Sequence, residues 1–195
     1  MNAKLQGKRI AILATDGFEQ VELTEPKKAL EEAGATVDVV SLKAGQIKGW
    51  KSTDWGESVQ VDKVLGEAKP AEYDGLVLPG GQINPDKLRI EPKAVQFVTD
   101  FFHSGKPIGA ICHGPWMLVE AGVLKNRTLT SWPSIRTDIR NAGGHWVDEE
   151  VLTDQNLTTS RKPDDLPAFN KRLIQEFGKG KSAAKHLEEE HAVTA

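Results

Sequence analysis

The sequence predicts a three-layer α/β domain in which helices cover both faces of a mostly parallel central sheet. Short apolar runs, typical of buried strands, alternate along the chain with longer amphipathic segments of helical spacing, which is the pattern of a parallel sheet. The length of 195 residues is in the usual range for one domain, and the sequence contains no internal repeat and no linker that would divide it.

The first elements along the chain form a β-α-β unit. Residues 9–14 (Arg-Ile-Ala-Ile-Leu-Ala) are typical of a strand buried on both faces. Pro26 suits the first turn of a helix and Gly34 suits its end, and the β-branched segment 36–41 then predicts a second strand. Residues 45–61 are rich in Gly, Trp, Ser and Lys, and they predict a hairpin or surface excursion.

The remaining segments continue the alternation. Strands are expected at 73–78, 108–111, 128–131, 151–153 and 157–160, and helices at 92–104, 115–121, 133–141 and 166–177. The tail, residues 178–195, consists of small and charged residues, and we expect it to be mobile or to form a weak helix packed on a neighbour. The chain 1–195 is therefore expected to be a single domain with its core at about 8–177.

Composition and charge exclude several classes of protein. Hydrophobic residues make up 38% of the chain and charged residues 27%, which excludes a disordered protein, a collagen-like fibre and a coiled coil. The net charge of −3 leaves no basic surplus, so nucleic acid binding is not expected. No apolar run approaches the roughly 20 residues that span a bilayer, and the N-terminus lacks the apolar core of a signal peptide. We therefore expect a cytoplasmic protein that does not bind a membrane.

Chemistry is expected where parallel strands end, because open sheets bind ligands at the carboxyl ends of their strands. Three segments there carry unusual residues: 15–19 (Thr-Asp-Gly-Phe-Glu), 78–81 (Leu-Pro-Gly-Gly) and 111–115 (Ile-Cys-His-Gly-Pro). The sequence has no P-loop and no G-x-G-x-x-G pattern, and His103 and His145 have no partner at ligand spacing. Neither a cofactor nor a metal ion is expected.

Cys112 is the single cysteine, so it cannot form an internal disulfide and cannot build a cysteine-only metal site. It lies between a buried strand and a helix expected to start near Pro115. Such a turn pushes a side chain out of the sheet, as in the nucleophile elbow of hydrolases, and the helix N-terminus favours the thiolate. The alternative is a buried, inert cysteine. The elbow setting and the adjacent polar His113 favour a reactive thiol.

Three further features each allow two interpretations. His113 is a general base, or it caps a helix start. Residues 80–81 (Gly-Gly) present consecutive N–H groups to an anion, or they form a simple tight turn. Glu19 and Glu22 are favourable acids at a helix start. Alternatively, Glu19 points toward Cys112 and, kept protonated by apolar surroundings, donates a hydrogen bond to the thiolate.

These segments, taken together, resemble the ThiJ/PfpI family of the class I glutamine-amidotransferase-like superfamily. The matching stretches run in family order at 16–22 (DGFEQVE), 78–81 (LPGG), 105–107 (GKP), 110–115 (AICHGP), 121–124 (AGVL) and 160–166 (SRKPDDL). The closest likeness is to the PfpI-type branch, whose members are described as intracellular cysteine peptidases, general stress proteins, and glyoxalase- or deglycase-type enzymes.

The resemblance implies a flavodoxin-like sandwich with Cys112 as the nucleophile and Glu19 as the acid hydrogen-bonded to it. It also implies that the backbone N–H groups of Gly80, Gly81 and His113 surround the oxyanion position. In the peptidase branch His113 is the base, and its acidic partner comes from a neighbouring subunit. Asp86 stands at the matching position, where it is one methylene shorter than the glutamate of the family.

Three functions follow as hypotheses. The first is a cysteine-dependent stress enzyme that acts on reactive-carbonyl adducts, with small carbonyl compounds and glycated proteins or peptides as substrates. The second is an ATP-independent cysteine peptidase, and the third is a redox sensor or chaperone. The resemblance further implies a homodimer or higher homo-oligomer, for which residues 45–61, with Trp50 and Trp55, are the candidate interface.

Overall fold

The structure, a computed structural model, describes residues 4–180, which contain eleven strands and six α-helices. In chain order the strands are β1 (Arg9–Leu13), β2 (Thr36–Ser41), β3 (Gln46–Lys51), β4 (Asp54–Gln60), β5 (Lys63–Val64), β6 (Gly75–Leu78), β7 (Ile108–Ile111), β8 (Thr128–Leu129), β9 (His145–Trp146), β10 (Val151–Asp154) and β11 (Leu157–Ser160). The helices are α1 (Gln20–Glu32), α2 (Ile83–Arg89), α3 (Pro92–His103), α4 (Trp116–Glu120), α5 (Arg136–Asn141) and α6 (Leu166–Lys179). Single 3₁₀ turns lie at Pro70–Glu72, Pro133–Ile135 and Pro163–Asp165.

Seven strands form the central sheet in the order β10-β11-β7-β6-β1-β2-β5. Every neighbouring pair in this sheet is parallel except the β10–β11 pair, which is antiparallel. The predicted mostly parallel sheet is confirmed. The pairs β3–β4 and β8–β9 form two small separate sheets, and β3–β4 is the hairpin predicted for residues 45–61.

Alternating side chains of the strands enter two apolar clusters, one on each face of the sheet. In β1, Ala11 and Leu13 pack into the cluster on one face, whereas Ile10 and Ile12 pack into the cluster on the other. Helices α3, α4 and α5 cover the first face, and α1 and α6 cover the second. Because both faces are covered, the central strands consist of nearly continuous apolar residues, as a buried parallel sheet requires.

Helix α1 begins earlier than the sequence pattern predicts. It starts at Gln20, so Pro26 lies inside the helix rather than in its first turn. Proline lacks the N–H that would donate to the carbonyl four residues before it, and here that carbonyl belongs to Glu22, near the start of the helix. The early start places Glu22 in the first turn, with consequences for the site described below. Helix α2 and the two-residue strands β5 and β9 were not predicted.

The end of the chain was predicted to be mobile or weakly helical from residue 178. Gly178 and Lys179 belong to α6, and residues 181–195 lie outside the described part of the chain. Among the described residues, no helix is both long and apolar enough to cross a membrane.

Candidate active site

Three adjacent strands bring the chemically distinctive segments to one edge of the sheet. Strands β7, β6 and β1 are neighbours in this order, and they run parallel to one another. The loops that follow them therefore meet at their carboxyl ends, as the sequence predicts. Residues 14–19 follow β1, residues 79–81 follow β6, and residues 112–115 follow β7.

Cys112 occupies a strained backbone conformation between β7 and α4. Its φ of 60° is in the left-handed region, which is costly for a residue with a side chain. Two hydrogen bonds hold it there. The Cys112 N–H donates to the Ser160 carbonyl at 3.1 Å, and the Trp132 N–H donates to the Cys112 carbonyl at 2.9 Å. This is the geometry of a nucleophile elbow, and it leaves Cys112 as a residue 7% exposed at the edge of the sheet.

Two glycines make room for this turn. A Cβ atom at Gly80 would lie 2.6 Å from Cβ of Cys112 and 2.6 Å from Oε2 of Glu22. A Cβ atom at Gly114 would lie 2.2 Å from the carbonyl oxygen of Leu78. Glycine is therefore required at both positions for the strand ends to approach this closely.

Glu22, not Glu19, is the carboxyl group that faces the Cys112 thiol. Oε2 of Glu22 accepts a hydrogen bond from the Gly80 N–H at 2.8 Å, and Oε1 is buried without a hydrogen-bond partner among the described residues. Burial raises the pKa of Glu22 to about 8, so this group is mainly protonated at neutral pH. The geometry corrects the expectation that Glu19 is the acid bonded to the thiol. It also means that Gly80 directs its N–H to Glu22 rather than to an oxyanion.

The local backbone explains why Glu22, rather than Glu19, faces the thiol. Glu19 is the N-cap of α1 and has an extended conformation, with φ −62° and ψ 119°, so it is not yet on the helix. Glu22 lies in the first turn, where helical geometry directs its side chain to the sheet edge. The Glu19 side chain is half-buried and lines the cavity above Cys112. Burial raises its pKa, and the backbone N–H of Ser52 partly opposes that rise.

The thiol of Cys112 is coupled to Glu22. Burial, followed by the negative charge of an ionised Glu22, raises the pKa of Cys112, and the backbone N–H groups of Gly81 and His113 act in the opposite direction. The pair therefore does not carry two negative charges at neutral pH. Protonation of Glu22 removes its negative charge, and the N–H groups of Gly81 and His113 then favour the ionised form of the sulfur against the effect of burial.

The His113 ring lies against Cys112, which the sequence left open. Its Nδ1 is 3.2 Å from Sγ of Cys112, and its Nε2 is 3.2 Å from Oγ of Ser134. Trp132 stacks on the ring with centroids 6.2 Å apart and planes at 27°, and Trp116 meets it edge-on at 5.2 Å. Burial lowers the pKa of His113, so the ring is neutral at pH 7 and has a free lone pair to accept a proton.

Asp86 is not part of this constellation within its own chain. It is exposed on α2 and does not line the cavity. Ser134, which does meet His113, carries no signal in the sequence because a serine after Trp132-Pro133 is typical of any surface turn. Within residues 4–180, no three His, Cys, Asp or Glu side chains are grouped as they would be to hold a metal ion.

A cavity of about 430 Å³ opens above Cys112. Its lining residues include Trp50, Trp132, Glu19 and Glu22. No lysine or arginine is among the described residues that line it. The cavity thus has two aromatic side chains and one acid besides the protonated Glu22, and the indoles suit a small ligand that carries positive charge.

A strained cysteine on an elbow, a neighbouring neutral carboxyl group and a flavodoxin-like sheet together define a cysteine-dependent enzyme. The sequence profile of the DJ-1/PfpI family matches residues 8–176. The chain belongs to the DJ-1/PfpI family, as the motifs indicated.

Known proteins similar to this chain agree with that membership. "Protein/nucleic acid deglycase 2" of Escherichia coli K12 is 47% identical over 174 residues, which are 88% of this chain and 98% of that protein. "Putative cysteine protease YraA" of Bacillus subtilis is 43% identical over 167 residues, or 86% of this chain and 96% of that protein. A crystal structure of a two-domain protein from Anabaena variabilis, with DJ-1/ThiJ/PfpI-like and ferritin-like domains, matches with a TM-score of 0.83 and 37% identity. The match covers 88% of this chain and 48% of that one.

Proposed function

We propose that this protein is a cysteine-dependent hydrolase of the stress response that removes reactive-carbonyl adducts from the amines of proteins and peptides. The observation that carries the proposal is the strained Cys112 facing both a buried, protonated Glu22 and the N–H groups of Gly81 and His113. Nδ1 of His113, 3.2 Å from Sγ, can accept the proton of the thiol, and the two N–H groups can stabilise an oxyanion; attack on a carbonyl carbon requires both. The lone cysteine also suits a cytoplasmic location, where a thiol stays reduced.

The chemistry begins when an adduct of an amine with a 2-oxoaldehyde enters the cavity. Sγ of Cys112 replaces the amine on the carbon that carried it. A C–S bond forms, the C–N bond breaks, and the amine leaves with a proton. The product on the enzyme is a hemithioacetal. The oxygen on that carbon lies where the N–H groups of Gly81 and His113 stabilise its negative charge. Glu22, which is mainly protonated at neutral pH and faces the thiol, donates its proton toward the sulfur.

The carbon unit must then leave the sulfur. Glu19 faces the cavity and has a raised pKa, so it suits the transfer of a proton from the sulfur-bearing carbon to the adjacent carbonyl carbon. This isomerisation converts the hemithioacetal into a thioester without any external oxidant. Water hydrolyses the thioester, which releases a 2-hydroxy acid and returns the thiol.

The charge of the cavity narrows the substrate class. The side chains of glycated arginine and lysine are basic, and they match the acidic and aromatic lining formed by Glu19, Trp50 and Trp132. A glycated nucleotide brings negative phosphates to the same cavity, where no described lining residue is cationic. We therefore propose protein and peptide adducts, and free carbonyl compounds, as the substrates in preference to glycated nucleotides.

A cysteine peptidase is the second candidate, and the observation that favours it is the 3.2 Å contact between Cys112 Sγ and His113 Nδ1. A peptide bond has a poor leaving group, so its cleavage needs an effective base and acid. In this chain the far side of His113 meets the neutral Ser134 rather than a carboxylate. This arrangement suits a carbonyl adduct, whose amine leaves easily, better than it suits a peptide bond.

The proposal is tested with an arginine peptide treated with methylglyoxal. Because the wild-type protein has one cysteine, its alkylation by iodoacetamide modifies Cys112 alone and provides a control without any mutation. We expect both Cys112→Ala and the alkylated protein to release free peptide about a thousandfold more slowly than the wild type. Release at the wild-type rate by either form would overturn the proposal. Methylglyoxal-treated GTP, assayed in parallel, should be a poorer substrate than the peptide; the opposite order would overturn the substrate class alone.

A further inference from the structure

His113, the candidate base next to the nucleophile Cys112, needs a side chain that orients its ring. In cysteine and serine hydrolases the base is held in position by a third side chain on its far nitrogen. In this protein the far nitrogen of His113 is Nε2, and the atom next to it is Oγ of Ser134 at 3.2 Å, in the same chain. Asp86, the acid that the family resemblance assigns to this role from a neighbouring subunit, is exposed on α2.

The backbone fixes Ser134 opposite His113 from both sides. On one side, the N–H of Trp132 donates to the carbonyl of Cys112, the nucleophile itself. On the other side, Ile135 is fully buried in the core. The intervening 3₁₀ turn begins at Pro133, whose ring restricts the backbone. The Ser134 hydroxyl is therefore tied to the elbow and does not depend on a long, flexible segment.

The orientation of the imidazole ring is also fixed. Trp132 stacks on one face and Trp116 meets the ring edge-on, and the Trp116 Nε1–H is in turn bonded to Asp138 at 2.8 Å. With the ring held this way, Nδ1 points to Cys112 and Nε2 to Ser134. The remaining freedom is the choice of the nitrogen that carries the proton.

We propose that Ser134 is a positioning residue that accepts a hydrogen bond from Nε2–H of His113 and so keeps the lone pair of Nδ1 directed at the Cys112 thiol. Nδ1 then takes the proton of the thiol, and Sγ becomes a thiolate, with no change in the total charge of the pair. The inference rests on the proposed function in one respect, namely that Cys112 is the nucleophile. It adds that one protomer contains a complete Cys-His-Ser series.

A hydroxyl group orients the ring but, unlike a carboxylate, does not add a negative charge that would stabilise the imidazolium. His113 with Ser134 is accordingly a weaker base than a histidine paired with an acid. It remains neutral to a lower pH, so the thiol is activated over a wider acidic range. This difference gives the proposal a signature that a merely structural role would not produce.

The test compares Ser134→Ala, Ser134→Thr and Ser134→Asp in the full chain. One readout is the rate at which iodoacetamide alkylates Cys112 between pH 5 and pH 10, which needs no substrate. The other is kcat/KM for the methylglyoxal-treated peptide. We expect Ser134→Ala to lower both by about fivefold, the effect of one hydrogen bond, and Ser134→Thr to restore them. Ser134→Asp should move the acidic limb of both profiles to higher pH by about one unit, because a carboxylate raises the pKa of the histidine.

Thr137→Ala removes a hydroxyl group from an exposed position on α5, just after the same turn, and serves as the matched control that leaves both rates unchanged. Unaltered rates in Ser134→Ala, or a Ser134→Thr variant as slow as Ser134→Ala, would overturn the proposal. So would a loss of alkylation rate in Asp86→Ala that exceeds the loss in Ser134→Ala, since it would assign the orienting group to α2 of a partner. If the peptide is not a substrate, the proposed function fails while alkylation still decides the role of Ser134.

Discussion

Glu22 places a carboxyl group in the protein interior, beside a thiol and at hydrogen-bonding distance from one backbone N–H. Burial favours the neutral form of such a group, which is why its pKa is about 8. The same burial makes the group useful, because a protonated carboxyl next to a thiolate can donate a hydrogen bond where a carboxylate would repel the negative charge. The chemistry at Cys112 and the stability of the fold therefore both depend on whether the Glu22 carboxyl group is protonated.

This connection predicts how stability changes with pH. The folded pKa of Glu22 is raised above the ordinary value of 4.5, so the unfolded chain releases this proton first. The contribution of Glu22 is therefore fully present below about pH 4.5 and is lost as the pH rises to about 8. We expect Glu22→Gln to gain stability relative to the wild type across this range, by several kcal/mol in total at about 1.4 kcal/mol per pKa unit. Urea unfolding at pH 5, 6.5 and 8 measures the difference.

Glu32→Gln, at an exposed position near the end of the same helix, is the matched control for the loss of a carboxyl group. A stability difference between Glu22→Gln and the wild type that stays constant from pH 5 to pH 8 would contradict the assignment of a raised pKa to Glu22.

Glu22 takes the role that the sequence predicted for Glu19, and the reason shows how far single site residues can be predicted from the sequence. The presence of acids after the first strand was clear, because Asp16 to Glu22 is a distinctive motif. The identity of the one that meets the thiol depends on where α1 begins. Glu19 is extended at the helix cap and Glu22 is helical, and no spacing rule distinguishes the two before the cap is known. Ser134 was missed for a related reason, since its importance comes entirely from a contact across the fold.

At the scale of elements, α6 holds the elbow in place through β7. Gly109 lies in the middle of β7, and a Cβ atom there would lie 2.3 Å from Cδ2 of Leu173 and 3.2 Å from Cζ of Phe169, both on α6. The missing side chain lets the helix pack directly on the strand that leads to Cys112. Because Gly109 is only three residues before Cys112, a change in the packing of α6 on β7 is expected to shift the backbone of the nucleophile.

We expect Gly109→Ala to lower the free energy of unfolding by about 1–3 kcal/mol, because the buried Leu173 side chain, or α6 with it, must shift to admit the methyl group. For a domain of this size that corresponds to a fall in Tm of about 2–4 °C per kcal/mol, which differential scanning calorimetry detects. Gly66→Ala, at a position where no atom lies within 4 Å of the added Cβ, is the matched control. Equal Tm values for the two variants would show that α6 does not constrain β7.

The elements themselves differed in how far they could be predicted. The buried strands β1, β2, β6, β7 and β11 were visible because short apolar or β-branched runs bounded by turn residues are typical of strands in a parallel sheet. Helix α2 was not predicted, since it is seven residues long and contains Asn84 and Pro85, which are typical of a turn. Its identity as a helix comes from packing, with Leu88 buried against the core.

At the scale of the whole molecule, we propose a homodimer or larger assembly that uses the β3–β4 hairpin. Trp55 is 45% exposed on this hairpin, where it packs edge-on against Trp50 with ring centroids 5.5 Å apart. An exposed tryptophan on a hairpin is the kind of aromatic anchor that interfaces use. The same hairpin reaches the cavity through Trp50 and Ser52, so an assembly formed there would also enclose the substrate.

Multi-angle light scattering after size exclusion tests this assembly. We expect the wild type to be at least a dimer, and Trp55→Ser to dissociate at a protein concentration about tenfold or more higher, since one buried tryptophan is often worth about 2 kcal/mol in an interface. Glu57→Ser, an exposed change on the same strand, should leave the mass unaltered. A monomeric wild type, or a Trp55→Ser variant with the same dissociation concentration, would remove the hairpin from the interface.

The two indoles around His113 have an optical consequence. Trp132 and Trp116 lie with their ring centroids 6.2 Å and 5.2 Å from that of the imidazole, and a protonated imidazole quenches the emission of an adjacent indole far more than a neutral one does. The fluorescence of the unlabelled protein therefore carries a signal that follows the protonation of its base. Recorded while a substrate turns over, that signal would show in real time when the proton of the thiol reaches the ring and when it departs.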